Sequence, residues 1–215
     1  MTTVKLRQFQ AAALAAALWI SGGEAYAGTA LTEQQGALLD KVETYLNGMR
    51  NLKGEFTQVG PAGTISTGVF YISKPGKMRF EYAPPNPFLV VSDGRWVTVK
   101  NEAKNKADQY PVSATPLNLI LAENVDLQGA EVMGVEEKEG AVWVTIESKD
   151  KIVPGQLVLI YDLNQSALQQ WIVVDGQGRK TTVSIANVEN TDSPDPTLFK
   201  VEVPKSKVGD DSGNR

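Results

Sequence analysis

Few residues in this chain of 215 could make or break bonds. It has no histidine and no cysteine, which excludes Ser-His and Cys-His nucleophile pairs and every metal site built on imidazole or thiolate. Carboxylates remain. Glu136, Glu137 and Glu139 cluster beside Lys138 and Gly140, and Asp93-Gly94, Asp162 and Asp175-Gly176 stand between apolar runs. Each of these sits where a turn is expected, so solvated turn formers are the better reading than metal ligands or a catalytic pair. There is no glycine-rich phosphate loop and no calcium-loop spacing. No metal or cofactor is expected, and the chemistry to look for is non-covalent.

The side chains best placed to bind something are apolar. In "YISKPGKMRFEYAPP", side chains alternate across each strand, so Phe70, Ile72 and Lys74 share one face, and Met78, Phe80 and Tyr82 share one face of the next strand. Arg79 and Glu81 take the opposite, wet face. Phe56 before this hairpin, and Val142, Val144 and Ile146 after it, extend the stripe. A sheet with one apolar face must cover it. It is covered either by a permanent core of packed helices, or by helices that leave a concave cavity for an apolar ligand. Periodicity alone does not choose between these.

The elements that carry these residues follow from the spacing. From Thr32, apolar Leu38, Val42, Tyr45, Leu46 and Met49 recur at intervals of three and four, and Thr32 with Gln35 fits a capping box: an amphipathic helix of about four turns. After Asn51 the period changes to two. Strands are expected near 54–60, 64–73, 77–83, 87–92, 95–100 and 106–110, with Asp93-Gly94 as a tight hairpin turn, and then near 130–136, 141–148, 156–162, 168–174, 179–188 and 198–203. In "RWVTVK", Val97 and Val99 compete with Trp96 for the interior. Between the two sets, "ATPLNLILAEN" reads as a short helix with Thr115 as its cap, Pro116 at its first position, and Leu117, Ile120 and Leu121 on one face. The pattern is that of an antiparallel meander, mainly β, with a helical N-terminus.

The ends read differently. Lys5 and Arg7 precede "AAALAAALWI", and Ala25-Tyr26-Ala27 follows it, the anatomy of a secretory signal cleaved after Ala27. The run is too short to span a bilayer, and no later segment is apolar enough to do so. The chain from Gly28 fits one domain, 28–204, and "KSKVGDDSGNR" after Pro204 reads as a disordered tail. Removing 1–27 leaves 19 basic and 24 acidic residues, a net charge of −5, which disfavours a nucleic-acid partner. Without cysteine there is no disulfide framework and no lipid-anchoring thiol.

The order of "LLDKVETYLNGMRNLKGEFTQ", "GVFYISKPGKMRFEY", "VVSDGRWV", "ATPLNLILAEN" and "LFKVEVP" resembles the periplasmic outer-membrane lipoprotein carriers, the LolA family, from about Leu38 to Pro204. The resemblance implies an incompletely closed antiparallel β-barrel of about eleven strands, with the N-terminal helix and short helices as a lid over a hydrophobic cavity. It implies a periplasmic carrier that takes acylated lipoproteins from an inner-membrane ABC transporter, shields their acyl chains and passes them to an outer-membrane acceptor; a monomer is the default for such a shuttle. Phe56, Phe70, Ile72, Met78, Phe80, Tyr82, Leu117, Ile120, Leu121, Val144 and Ile146 would then line the lipid cavity. Two departures bear on cargo retention and on the encounter with the transporter. Lys74 stands before Pro75 where the best-known members have an arginine that holds the lid by its backbone, so a planar five-donor fork becomes a point contact. Met78 stands where those members show an aromatic.

Other readings stay open at this level. The same fold could serve as a periplasmic sensor or as a carrier of other hydrophobic molecules. An enzyme using carboxylates or a Ser-Lys pair on a cell-envelope substrate would instead need titratable groups converging in a pocket.

Overall fold

The computed structural model describes residues 31–147 and 155–203. The signal sequence expected at 1–27 and the tail expected at 205–215 lie outside the described residues. Helix α1 (Glu33–Gly48) starts at the expected capping box: Thr32 Oγ1 accepts from the Gln35 amide at 3.2 Å, and Gln35 Oε1 accepts from the Thr32 amide at 2.9 Å. Its apolar face, Leu38, Leu39, Val42 and Leu46, is buried.

Eleven strands follow: β1 (Asn51–Val59), β2 (Ile65–Ser73), β3 (Lys77–Tyr82), β4 (Phe88–Asp93), β5 (Trp96–Asn101), β6 (Lys106–Pro111), then β7 (Glu131–Lys138), β8 (Ala141–Glu147), β9 (Gly155–Asp162), β10 (Ala167–Asp175) and β11 (Lys180–Asn190). They form one sheet in the order β6-β5-β4-β3-β2-β1-β11-β10-β9-β8-β7, and each neighbouring pair is antiparallel wherever the ladder is described. The first and last strands pair in the middle, so β6 and β7 become the two free edges and the barrel stays open between them. The connection from β6 to β7 carries a 3-10 turn (Val112–Ala114) and helix α2 (Leu117–Leu121). The chain thus places its short helix at the gap.

Curvature is built into the residues. Gly54 lies opposite Phe70, and Gly68 opposite Phe56, on β1 and β2. A Cβ on Gly54 would come within 2.7 Å of the Phe70 ring, and one on Gly68 within 2.6 Å of the Phe56 ring and too close to the Glu81 carbonyl. Each ring therefore lies across the glycine of its partner strand, a pairing that lets a sheet coil tightly without opening a hole. Register shifts opposite Gly54 on β1, after Leu168 on β10 and after Val132 on β7 add bends.

The concave face and α1 enclose the core. In β5 the interior goes to Val97, which is buried, while Trp96 is 43% exposed. Two expectations are corrected on the convex side. Residues 198–203 form no strand: Pro196–Phe199 is a 3-10 turn started by Asp195, whose carboxylate accepts from the Thr197 amide, and 200–203 run on without a ladder. Nor is the back of the hairpin wet at Arg79. The turn packs there, Arg79 Nη1 donates to the Leu198 carbonyl at 3.0 Å while its Nε pairs with Glu81, and Leu89, Val91, Thr98 and Phe199 are buried. A small second core thus lies outside the barrel. No helix of the described residues is long and apolar enough to cross a membrane.

Candidate functional site

Phe80 sits at the centre of the concave wall. Its ring lies 4.9 Å from Phe56, stacks at 5.6 Å on Phe70 and meets Trp171 edge-on at 6.1 Å, while Tyr82 closes on Phe56 at 5.0 Å. Such offset and edge contacts add to the area these rings bury. Tyr82 keeps its hydroxyl satisfied by donating to Gln58 at 2.8 Å, and burial raises its pKa against that hydrogen bond.

Above this wall α2 lays down Leu117, Ile120 and Leu121. Between helix and sheet remains a wholly apolar void of about 20 Å³, room for roughly one water molecule. An acyl chain cannot enter without a movement of the cover. The opposite flank of α2, with Pro116, Asn118 and Leu119, faces an open groove of about 270 Å³ that reaches Ile146 and Leu157 of the sheet. Helix α2 is the partition between the two spaces.

The turn between β2 and β3 fastens the cover. The Lys74 amide donates to the Arg50 carbonyl at 2.9 Å, the Lys74 ammonium to the Leu46 carbonyl at 2.8 Å, and the Gly76 amide to the Leu121 carbonyl at 2.8 Å. One turn thereby holds the ends of both helices. Leu46 O is among the last carbonyls of α1, which lack intrahelical donors and carry the negative end of the helix dipole. The last turn of α1 has no basic residue of its own, so Lys74 supplies that charge from another element. Its pKa is lowered to about 8, first by burial and then by the nearby Arg50 guanidinium. The turn is wedged in place: Ser92, fully buried, donates to the Gly76 carbonyl at 2.6 Å, and Gly76 has φ +74° with Gly94 directly against it.

Of the residues singled out in the sequence, Phe70, Ile72, Met78, Phe80, Leu117, Ile120 and Leu121 meet around the void. Phe56 and Tyr82 form the next layer of rings, Val144 lies in the continuous core, and Ile146 floors the groove on the other side of α2. Sequence reasoning missed Met49, Leu52, Leu168, Trp171 and Ile185, which complete the lining. For Trp171 the missing signal is the extra residue Gln169: both Leu168 and Trp171 pair with inward residues, Tyr161 and Leu159, although they stand three apart. Thr115 does not cap α2; its hydroxyl donates to the Val112 carbonyl at 2.8 Å and closes the preceding turn.

No titratable side chain lines the void, whereas Asp126, Glu131 and Glu147 stand around the groove. Glu136, Glu137 and Glu139 are exposed around the β7–β8 turn, where Lys138 pairs with Glu136 and lies 3.9 Å over the Trp143 ring. Among the described residues no group of His, Cys, Asp or Glu could hold a metal ion.

Residues 47–202 match the family model described as outer membrane lipoprotein carrier protein LolA. An outer-membrane lipoprotein carrier protein of Methylococcus capsulatus is 28% identical over 76% of this chain and 83% of its own length, and one of Dechloromonas aromatica is 27% identical over 77% and 84%. A LolA superfamily protein of known crystal structure from Nitrosomonas europaea is 12% identical, with a TM-score of 0.43 over 80% of this chain and 99% of that one. With its open eleven-stranded sheet, its covered apolar face and a sequence match over most of its length, the chain belongs to the LolA family of outer membrane lipoprotein carrier proteins.

Proposed function

We propose that the protein is a periplasmic chaperone that shields lipoprotein acyl chains in the space between α2 and the concave wall and shuttles them from the inner to the outer membrane. The observation that carries this reading is the void itself, lined only by apolar side chains and covered by a short helix. The need is physical. At about 0.8 kcal/mol per methylene, a roughly 16-carbon chain left in water costs on the order of 12 kcal/mol, so an acylated protein does not cross an aqueous compartment unshielded.

In this reading residues 1–27 direct export and are removed, 28–204 form the single carrier domain, and the carrier works as a monomer. It receives cargo from an inner-membrane lipoprotein-releasing ABC transporter and yields it to an outer-membrane acceptor. Phe56, Phe70, Ile72, Met78, Phe80, Tyr82, Val144 and Ile146 of the sheet, with Leu117, Ile120 and Leu121 of the cover, accommodate the chains. The flexible Met78 side chain suits cargo that must be released again. Lys74 acts as the latch of the closed, empty state through Leu46 O. Release of acylated lipoproteins from spheroplasts in soluble form by the purified protein tests the proposal; release no greater than with buffer overturns it.

A further inference from the structure

The connection from β6 to β7 is held firmly at both ends and lightly in the middle. At its start the Val112 amide, with its side chain buried, donates to the Arg95 carbonyl at 2.9 Å. At its far end, residues 123–128 form a strap gripped by one face of α1 and by Arg50, two residues beyond it. Arg50 Nη1 donates to the Glu123 carbonyl at 3.3 Å. Asn47 binds Val125 both ways, accepting its amide at 2.8 Å and donating to its carbonyl at 2.9 Å. Glu43 accepts the Leu127 amide at 2.7 Å, and Asp40 accepts from the Gln128 side chain at 2.9 Å.

The spacing explains the fit. Positions 40, 43 and 47 are three and four apart and so lie along one side of a helix, and the strap turns main-chain groups of alternate residues 123, 125 and 127 toward this end of α1. The gripped residues also bury their side chains, Val125 and Leu127, while the intervening Asn124 and Asp126 are exposed. Between these anchors, among the described residues, a single hydrogen bond ties α2 to the sheet, from the Gly76 amide to the Leu121 carbonyl. The remaining hold is apolar contact by Leu117, Leu119, Ile120 and Leu121 of a five-residue helix, too short to persist by itself.

We infer that α2 alone is the moving gate of the cavity, and that the strap 123–128 stays seated on α1 when the gate opens, with Asn47 and Glu43 as its positioning residues. Displacing α2 removes the partition between the groove at Ile146 and Leu157 and the void at Phe70, Met78 and Trp171. One continuous channel results, entered from the groove past Asp126, Glu131 and Glu147 and apolar at its inner end. That cargo uses the channel rests on the carrier reading; the division between gate and clamped strap does not.

Residue-resolved amide exchange on the folded protein, with and without a palmitoylated peptide as probe, tests this. Without probe, the Gly76 amide should exchange at least about tenfold faster than those of Val125 and Leu127, since sub-global openings expose the least-held element first. With probe, Gly76 should lose protection further while Val125 and Leu127 keep theirs. Equal exchange of all three in the free protein, or joint loss on adding probe, overturns the inference. A probe that does not bind defeats the carrier reading, and the order of exchange in the free protein still decides the gate.

Asn47→Ala should bring Val125 exchange to the rate of Gly76 and speed probe dissociation. Glu43→Gln, which keeps a carbonyl acceptor for the Leu127 amide, should behave as the native chain, whereas Glu43→Ala should resemble Asn47→Ala. If Glu43→Gln is as damaging as Glu43→Ala, the hydrogen bond is not what seats the strap.

Discussion

The Lys74 ammonium lies 2.8 Å from the Leu46 main-chain oxygen, so the turn of the β2–β3 hairpin supplies the cation that the last turn of α1 lacks. The contact is paid for in desolvation, because closing the cover takes this charge out of water beside the Arg50 guanidinium, and the pKa falls to about 8 from 10.5.

A pH dependence follows. In an open state with Lys74 in water its pKa returns toward 10.5, so between about 8 and 10.5 the open state binds more protons than the closed one. Linkage then makes opening harder as pH rises through that window. Below pH 8 both states are protonated and the dependence vanishes. Uptake of a fluorescent fatty acid should therefore slow as pH is raised from 8 to 10. Lys74→Arg should abolish this trend, since a guanidinium stays charged throughout, and should slow uptake at pH 7 if its fork gains a second carbonyl. Unchanged uptake in both respects would reduce Lys74 to a strand end.

Gly76 tests the wedge beneath the latch. A Cβ there would lie 2.8 Å from Gly94 Cα, and φ +74° disfavours any side chain. Gly76→Ala should cost roughly 1–3 kcal/mol in denaturant unfolding. It should also raise the rate of probe entry, because the turn that shifts is the one holding Leu46, Arg50 and Leu121.

Phe80 tests the wall. Truncation to alanine removes the ring against which Phe56, Phe70 and Trp171 are ordered and should cost about 3–5 kcal/mol, part of it for the enlarged void. The same enlargement should let a short alkyl probe bind without gate opening, seen as a faster association phase. A stability loss with no kinetic change would place Phe80 in structural packing alone.

Much of this was legible in advance. The alternation of Phe70, Ile72, Met78 and Phe80, the Thr32–Gln35 cap and the apolar face of α2 depend on local spacing, and local spacing survives folding. What was not legible depends on pairing. Gln169 lets Leu168 and Trp171 face the same way, an outcome that strict alternation forbids. The run Leu198 to Val203 alternates like a strand, yet β11 already pairs with β1 and β10, and the run instead lies across the convex face. Alternation reports a half-buried surface, not the presence of a ladder partner. The grip of Asn47 on Val125 joins positions 78 residues apart, and nothing in either neighbourhood announces the other.

Phe199 separates stability from cargo binding. It is buried 3% exposed on the convex side with Leu89 and Val91, away from the void, and Arg79 fixes the carbonyl of the preceding residue. Phe199→Ala should destabilise the fold by about 3–5 kcal/mol if its site does not collapse. Probe affinity, measured well below the unfolding midpoint, should stay unchanged, because β3 and β4 keep their concave residues and the cover keeps its fastenings. The contrast with Phe80→Ala, similar in lost stability but altered in probe kinetics, distinguishes the two cores that share one sheet. Equal effects on probe binding would instead mean that the convex turn controls the curvature of the wall, so that the cavity is shaped from both sides of β3 and β4.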